Sequence, residues 1–140
     1  MHQHFHPNRQ IIGAEPAAAD DAHRSLAAGK IIGLTESPNT LADGAATISV
    51  GHHTFPLLQQ LDALDTVSEQ HIAYWTQWLH HLLKLHIEPT CAMTMEVVRR
   101  WLRSQTAPKT ALVLISGGNI SAASMAKIWQ RDHLTELPSL

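Results

Sequence analysis

The sequence has little cysteine, no long apolar run and no surplus of one charge. Cys91 is the single cysteine in 140 residues, which excludes an internal disulfide framework and suits a reducing compartment. No stretch approaches the ~20 apolar residues that a membrane-spanning helix needs, and residues 1–6 lack the apolar run of a secretory signal. These absences predict a soluble, cytoplasmic protein with no membrane partner.

The charges are balanced, with ten Lys and Arg against twelve Asp and Glu and a formal net charge of −2. They are scattered, so no basic stripe is present to attract a nucleic-acid backbone, and we expect no nucleic-acid partner. Hydrophobic residues make up 44% and charged residues 16% of the chain, which is typical of a globular domain. We expect a flexible His-rich segment at 1–10, one domain at 11–130 and a tail at 131–140.

Short apolar runs alternate with helix-favouring stretches, which indicates an α/β protein with a parallel sheet flanked by helices. We predict strands at 11–14, 65–67 and 110–115, helices at 17–28, 54–64, 68–85, 90–103 and 121–130, and a long loop at 35–47. The run at 110–115 is continuously aliphatic, as in a strand buried on both faces. Ligands of such sheets bind beyond the carboxyl ends of the strands, so the loops at these ends are candidates for function.

The longest predicted helix carries an apolar stripe. Ser68 is of a residue type favoured at an N-cap. Apolar residues then recur at three- and four-residue steps, at Ile72, Trp75, Leu79, Leu82 and Leu83, with Trp78 beside them. Polar residues lie away from the stripe, at Gln70, Gln77 and Lys84. This spacing predicts a helix whose apolar face packs on the core.

A Ser-Gly-Gly-Asn turn, residues 116–119, follows the predicted strand at 110–115. Two glycines allow the backbone to turn and to approach a flat ligand closely, while Ser116 would extend its hydroxyl from the strand end. By itself, a Gly-Gly turn between a strand and a helix is more often only structural. A ligand-binding role therefore depends on what accompanies the turn.

Three other segments accompany it, Gly-Ala-Glu-Pro at 13–16, Thr-Leu-Ala-Asp-Gly at 40–44 and Ile-Glu-Pro-Thr at 87–90. In this order and at these separations, the four segments resemble the C-terminal half of serine/threonine dehydratases and serine racemases, which are fold-type-II enzymes dependent on pyridoxal 5'-phosphate (PLP). The resemblance extends from Pro7 to about Gln130. It implies part of the large, tryptophan synthase β-like domain of these enzymes.

The resemblance also implies roles for single residues. Ser116 and Gly117 match the turn that faces the pyridine nitrogen of PLP, and Glu88 matches a glutamate near the ring. A neutral hydroxyl at the ring nitrogen moderates the electron sink, so elimination of a β-hydroxyl competes well. The family's loop beside a small amino-acid substrate matches Ala42, Asp43 and Gly44. For the aspartate of this loop, hydrogen bonding within the turn is the alternative.

A cation site is a further implication of the resemblance. Metal-dependent members bind Mg²⁺ or Ca²⁺ through a glutamate, a carbonyl four residues later and an aspartate two residues beyond it. These positions match Glu15, Ala19 and Asp21. Hard cations prefer such oxygen ligands. Alternatively, Asp20 and Asp21 only stabilise the positive end of the helix that follows.

Histidine is unusually frequent, with 11 in 140 residues. Three alternate near the start of the chain, at His2, His4 and His6. On one side of an extended segment they would form a transition-metal site, and a solvated terminus is the alternative. Three more are expected at a surface or interface, at His80, His81 and His86. Cys91 is expected to be a buried, inert thiol.

In the dehydratases and racemases that this sequence resembles, a Schiff-base lysine and a glycine-rich phosphate-binding loop precede this region. The lysines of this chain stand at positions that the family does not use for this purpose, at Lys30, Lys84, Lys109 and Lys127. We therefore expect no catalytic residue here, and a dehydratase or racemase portion that is inactive alone and associates with an N-terminal half or with itself. The alternatives are a non-catalytic regulatory module that pairs with a full-length homologue and a His-based metal-binding protein.

Overall fold

Two strands, six helices and a 3₁₀ turn lie within residues 9–139, the part of the chain that the computed structural model describes. In chain order the elements are β1 (Ile12–Pro16), α1 (Asp21–Ala28), a 3₁₀ turn (Asp43–Ala45), α2 (Phe55–Leu58), β2 (Ala63–Val67), α3 (Glu69–Leu83), α4 (Pro89–Ala92), α5 (Thr94–Arg103) and α6 (Ala122–Ile128). The two strands pair in parallel, with Ile12 beside Ala63 and Pro16 beside Val67, and α5 packs on them. The prediction of a partial parallel sheet with helices is confirmed.

Helix α1 begins four residues later than the sequence predicts. The residues before it form a turn in which the amide of Ala19 donates to the carbonyl of Pro16 at 2.9 Å. The predicted stop is confirmed at Gly29, which has a φ of +67° and whose amide donates to the carbonyl of Leu26. Glycine adopts this left-handed conformation without the steric cost of a Cβ.

Helix α3 forms the centre of the core. Ser68 caps it by accepting a hydrogen bond from the amide of His71. Ile72, Trp75 and Leu79 are buried as predicted, whereas the last two positions of the expected stripe, Leu82 and Leu83, are exposed. The helix therefore packs on the core over its first three turns and projects from it at its end. Within residues 9–139, no helix combines the length and apolarity needed to cross a bilayer.

The prediction that Gln77 lies away from the core is wrong. Its side chain is buried and donates to the carbonyls of Ile128 at 2.8 Å and Arg131 at 2.7 Å. Its amide oxygen accepts from the amide of His133 at 2.8 Å. Apolar periodicity ranks every glutamine as outward-facing, but three hydrogen bonds compensate the burial of this one. Gln77 thereby anchors the C-terminal segment to α3.

Two predicted helices differ from the observed elements. The helix expected at 54–64 ends at Leu58, because residues from Ala63 onward pair with β1; strand pairing overrides the helix-favouring composition here. The helix expected at 90–103 is divided into α4 and α5 at Met93. The helix expected at 121–130 is confirmed over Ala122–Ile128.

The clearest strand predicted from the sequence, 110–115, does not form. These residues have no assigned strand or helix, and the side chains of Leu112 and Leu114 are 88% and 74% exposed. A strand needs a hydrogen-bonding neighbour, and among residues 9–139 the two strands present pair only with each other. Val113 and Ile115 are half-buried, with Ile115 packed on the core, so the run exposes the face that carries Leu112 and Leu114.

Candidate functional site

The centre of the candidate site is a close contact between Gly117 and Glu88. The amide of Glu88 donates to the carbonyl of Gly117 at 3.1 Å. A Cβ added at Gly117 would overlap the Glu88 carboxylate, so any larger residue here would displace that side chain. Two residues that lie 29 positions apart in the sequence, and that the resemblance assigns to one site, are thus in contact.

Gly118 extends this contact to His86, two residues before Glu88. A Cβ added there would lie 2.6 Å from the carbonyl oxygen of His86. Among residues 9–139, Gly29 is the only glycine with a positive φ. Gly118 is therefore required for close backbone approach, and Gly117 leaves room for the Glu88 side chain; neither adopts a left-handed conformation.

Cys91 lies beneath this contact. Its thiol is buried and lies 3.1 Å from the carbonyl oxygen of Gly117 and 3.4 Å from that of Glu88. Both distances allow a weak S–H donor to bond to either carbonyl. The expectation of a buried thiol is confirmed, and the thiol contacts both segments of the site.

The histidines near this segment differ in environment. His81 and His86 are exposed, as expected. His80 is half-buried, and its Nε2 is hydrogen-bonded to the Ile87 backbone, 2.7 Å from the carbonyl oxygen and 3.0 Å from the amide nitrogen. This bond ties the end of α3 to the residue before Glu88. The alternating histidines His2, His4 and His6 lie outside the described residues.

The loop expected beside a substrate reaches the same place. Ala42 is fully buried in a cluster with Val67 and Ile72. A Cβ at Gly44 would lie 2.8 Å from the Thr90 hydroxyl, so this loop rests on the first turn of α4. Asp43 is exposed, and its side chain makes no hydrogen bond to any residue in 9–139. Capping of the turn by its carboxylate is therefore not observed.

Glu69 holds this loop against α3. Its carboxylate accepts from the Thr40 hydroxyl at 2.7 Å and from the amide of Leu41 at 2.6 Å. The loop immediately before Ala42 is thereby fixed at two points. Sequence reasoning did not identify Glu69, because its partners lie 28 and 29 residues away.

Thr90 is a second residue that sequence reasoning missed. Its hydroxyl oxygen is buried and has no hydrogen-bond partner within residues 9–139, yet it lies between Gly44 and the Glu88 segment. A buried hydroxyl without a partner is costly in a folded chain. The sequence offered only the position of this threonine within Ile-Glu-Pro-Thr, with no sign that its hydroxyl would lack a partner.

Ser116 precedes the contact by one residue. It is exposed, and its hydroxyl makes no hydrogen bond to any residue in 9–139. The structure therefore brings together Gly117, Glu88, Thr90 and Gly44, and places Ser116 at the margin of this group. The lysines are all exposed, at Lys30, Lys84, Lys109 and Lys127.

The expected cation ligands lie around the start of α1. The Glu15 carboxylate accepts from the amides of Ala22 at 2.9 Å and His23 at 2.8 Å. Asp21 is 1% exposed, and neither of its carboxylate oxygens has a hydrogen bond of good geometry within residues 9–139. Burial raises the pKa of Asp21, and the Asp20 charge adds to this, while the backbone amides of Asp21 and Val50 oppose it. A poorly compensated carboxylate therefore lies beside a second buried one.

Glu15 experiences the same environment. Burial raises its pKa, the charges of Asp21 and Asp20 add to this, and the amides of His23 and Ala22 oppose it. Ala19 is fully buried. Within residues 9–139 no three His, Cys, Asp or Glu side chains are grouped to hold a metal ion. The expected site thus depends on two carboxylates and one carbonyl, and the orphaned oxygens of Asp21 fit a hard cation.

Comparison with known proteins identifies relatives of this chain. The sequence pattern of a family described as pyridoxal-phosphate dependent enzyme matches residues 2–117. The chain is 36% identical over 127 residues to a serine racemase from Dictyostelium discoideum, covering 89% of this chain and 39% of that protein. It is 37% identical over 127 residues to an L-threonine ammonia-lyase from Geobacter sulfurreducens, covering 90% of this chain and 31% of that protein.

A solved structure also resembles most of this chain. The crystal structure of a threonine deaminase from T.th. superposes with a TM-score of 0.76 at 40% identity, covering 84% of this chain and 42% of that one. The chain thus spans less than two fifths of the length of these curated relatives. The likeness covers most of this chain, including the segments of the candidate site.

Proposed function

The chain belongs to the pyridoxal-phosphate dependent enzyme family, and on this premise we propose that it forms the C-terminal portion of a serine/threonine ammonia-lyase or serine racemase. The substrates would be small hydroxy amino acids. The observation that carries the proposal is the contact of Gly117 with Glu88. A reducing, cytoplasmic setting suits the buried thiol of Cys91.

Each residue of the site has a chemical role under this proposal. When bound, PLP supplies an electron sink for the substrate's α-carbon. Ser116 would offer a neutral hydroxyl to the ring nitrogen, while Gly117 and Glu88 would form a flat surface beside the ring. The Ala42, Asp43 and Gly44 loop would border the substrate. The Thr90 hydroxyl, which has no partner within residues 9–139, would bond to whichever ligand fills the space.

The proposal is tested by PLP binding to the chain mixed with a polypeptide that carries a relative's glycine-rich loop and lysine. The visible absorption of lysine-bound cofactor should develop stoichiometrically. Gly117→Ala should weaken PLP binding, because the added Cβ would displace the Glu88 carboxylate from its place beside the turn.

Gly33→Ala is the matched control, since a Cβ at Gly33 would meet its nearest atom at 3.7 Å. This variant should bind PLP like the natural chain. Circular dichroism establishes that both variants are folded. Equal PLP affinity for the two variants would count against a cofactor site at Gly117.

We further propose that Glu15, the Ala19 carbonyl and Asp21 hold Mg²⁺ or Ca²⁺. The buried oxygens of Asp21 have no hydrogen bond of good geometry within residues 9–139. Glu15 already accepts two amides, and each of its oxygens retains a second lone pair for a cation. A dication would compensate both carboxylates in a site with little access to water.

Replacement of Asp21 by asparagine should stabilise the chain without cation and should abolish the stabilisation by cation. In EDTA, Asp21→Asn should raise the melting temperature, because it removes an unpaired buried charge. With Ca²⁺ at a hundredfold excess over its dissociation constant, the natural chain should gain about 2.7 kcal/mol and Asp21→Asn should gain nothing. Differential scanning calorimetry measures both.

Asp20→Asn is the control for this pair, since Asp20 is paired with Arg24 at 3.3 Å on the surface. It should retain the Ca²⁺ increment. If Ca²⁺ stabilised the natural chain, Asp21→Asn and Asp20→Asn equally, the cation would bind at another site.

The pH dependence of the cation effect follows from the raised pKa of Glu15 and Asp21. Their contribution to stability is complete below the ordinary values of 4.5 and 3.8 and is lost as pH rises through the folded-state values. A bound cation favours the ionised form and lowers both pKa values. The Ca²⁺ increment should therefore grow from acid to neutral pH.

A further inference from the structure

An open cavity of about 450 Å³ lies beside the start of α3 and reaches Ala17, which stands between Glu15 and Ala19 in the sequence. Its walls are formed by the end of β2, the first turn of α3 and one face of α5. The polar residues that line it are Thr66, Ser68, His71, Glu96, Arg99 and Arg100. None of these residues belongs to the proposed cofactor or cation sites.

Glu96 organises the cavity. It is 2% exposed and accepts from the indole of Trp75 at 3.0 Å. The Arg99 guanidinium binds it through Nε at 2.9 Å and Nη2 at 2.6 Å. Burial opposes ionisation of Glu96, but the hydrogen bonds from Arg99 and Trp75, with the charges of His71 and Arg99, lower its pKa. The carboxylate thus stays ionised and fixes the arginine.

Arg100 adds a second cation. Its Nε lies 3.4 Å from Glu96, and its Nη2 donates to the carbonyl of Thr66 at 2.8 Å. Two guanidinium groups therefore face one carboxylate. The Nη1 of each makes no hydrogen bond to any residue in 9–139. His71, whose Nδ1 lies 2.9 Å from the Ser68 hydroxyl, adds a further ring nitrogen to the wall.

We propose that this cavity binds phosphate or a small phosphorylated ligand. The free donors are the two N–H groups of each Nη1, which lie on separate side chains, since the bidentate edge of Arg99 is occupied by Glu96. Separate donors suit a tetrahedral oxyanion with several acceptor oxygens better than a planar carboxylate. The surplus positive charge favours an anion, and the fixed guanidinium groups lose little conformational freedom on binding.

The test is a titration of the 140-residue chain with inorganic phosphate at constant ionic strength in chloride, followed by calorimetry and ³¹P NMR. Saturable binding is expected. Arg100→Gln should weaken phosphate binding about tenfold or more, because it removes one charge-assisted hydrogen bond. Arg100 is 41% exposed, so this variant should fold.

Arg103→Gln is the matched control, because Arg103 is an exposed arginine of the same helix that bonds to Ser139 and does not line the cavity. It should bind phosphate like the natural chain. Methyl phosphate distinguishes the two kinds of ligand. If it binds with the same affinity as inorganic phosphate, the cavity accepts a phosphomonoester. If it does not bind, the ligand is free phosphate. No saturable binding, or equal weakening in both arginine variants, would overturn the proposal.

Discussion

Mixed with PLP and either L-serine or L-threonine, the 140-residue chain is expected to release ammonia no faster than PLP alone. Proton removal at the substrate's α-carbon needs a base held against the cofactor. The four lysines are exposed, and none is among the side chains that border the turn at Gly117 and Gly118. A coupled ammonia assay, with PLP in buffer as the reference, measures the rate.

Adding the glycine-rich loop and lysine of a relative on a second polypeptide should raise this rate by orders of magnitude. Enzymes accelerate reactions by about 10⁶-fold or more, so even a poorly assembled site would exceed free PLP. The same polypeptide with its lysine replaced by alanine is the control. A stoichiometric, borohydride-reducible PLP adduct on one lysine of the isolated chain would contradict this, because the chain would then supply its own Schiff-base lysine.

Local patterns in the sequence predicted the parts of the fold that depend on local physics. Ser68 has a short polar side chain that caps the following amides, and Ile72 and Trp75 recur at helical spacing, so α3 was predictable. Gly29 marks the end of α1 for an equally local reason. Neither inference needed knowledge of distant residues.

Buried polar residues were not predictable in the same way. The hydrogen-bond partners of Gln77 lie 51 to 56 residues away, and Glu96 bonds to Trp75, 21 residues away, as well as to nearby Arg99. Hydropathy places both residues on the outside of a helix. Only the fold shows that their hydrogen bonds are satisfied. The anion cavity depends on Glu96, so no pattern in the sequence indicated it.

The candidate site was predicted only through the resemblance. Composition gave no reason for Glu88 to meet Gly117, and a Gly-Gly turn alone favoured a structural role. The structure adds two residues to the site. Glu69 accepts from the amide of Leu41, and the hydroxyl of Thr90 is buried without a partner within residues 9–139. The roles of Ser116 and Asp43 stay predictions, because both are exposed and their side chains have no hydrogen-bond partner within residues 9–139.

The wrongly predicted strand at 110–115 leads to the last prediction. Its aliphatic composition is that of a strand buried on both faces, but Leu112 and Leu114 are 88% and 74% exposed. Each leucine would gain about 2 kcal/mol from burial, and the unpaired backbone offers a row of donors and acceptors to another chain. We therefore expect the purified chain to self-associate and to bind a hydrophobic dye.

Leu112→Lys combined with Leu114→Lys should abolish both effects, because a charge at each position opposes burial of the run. Leu137→Lys is the matched control, since Leu137 is 81% exposed but lies outside the run; it should leave association unchanged. Sedimentation velocity gives the oligomeric state, and dye fluorescence reports the apolar surface.

The added polypeptide with the glycine-rich loop and lysine should suppress association of the natural chain, because it would offer a pairing neighbour to residues 110–115. The double lysine variant should then fail to bind that polypeptide. Under the proposed function, one surface thus governs both association of the chain with itself and recovery of activity. A dye-silent monomer at micromolar concentration would instead favour an independent binding module that pairs with a full-length homologue.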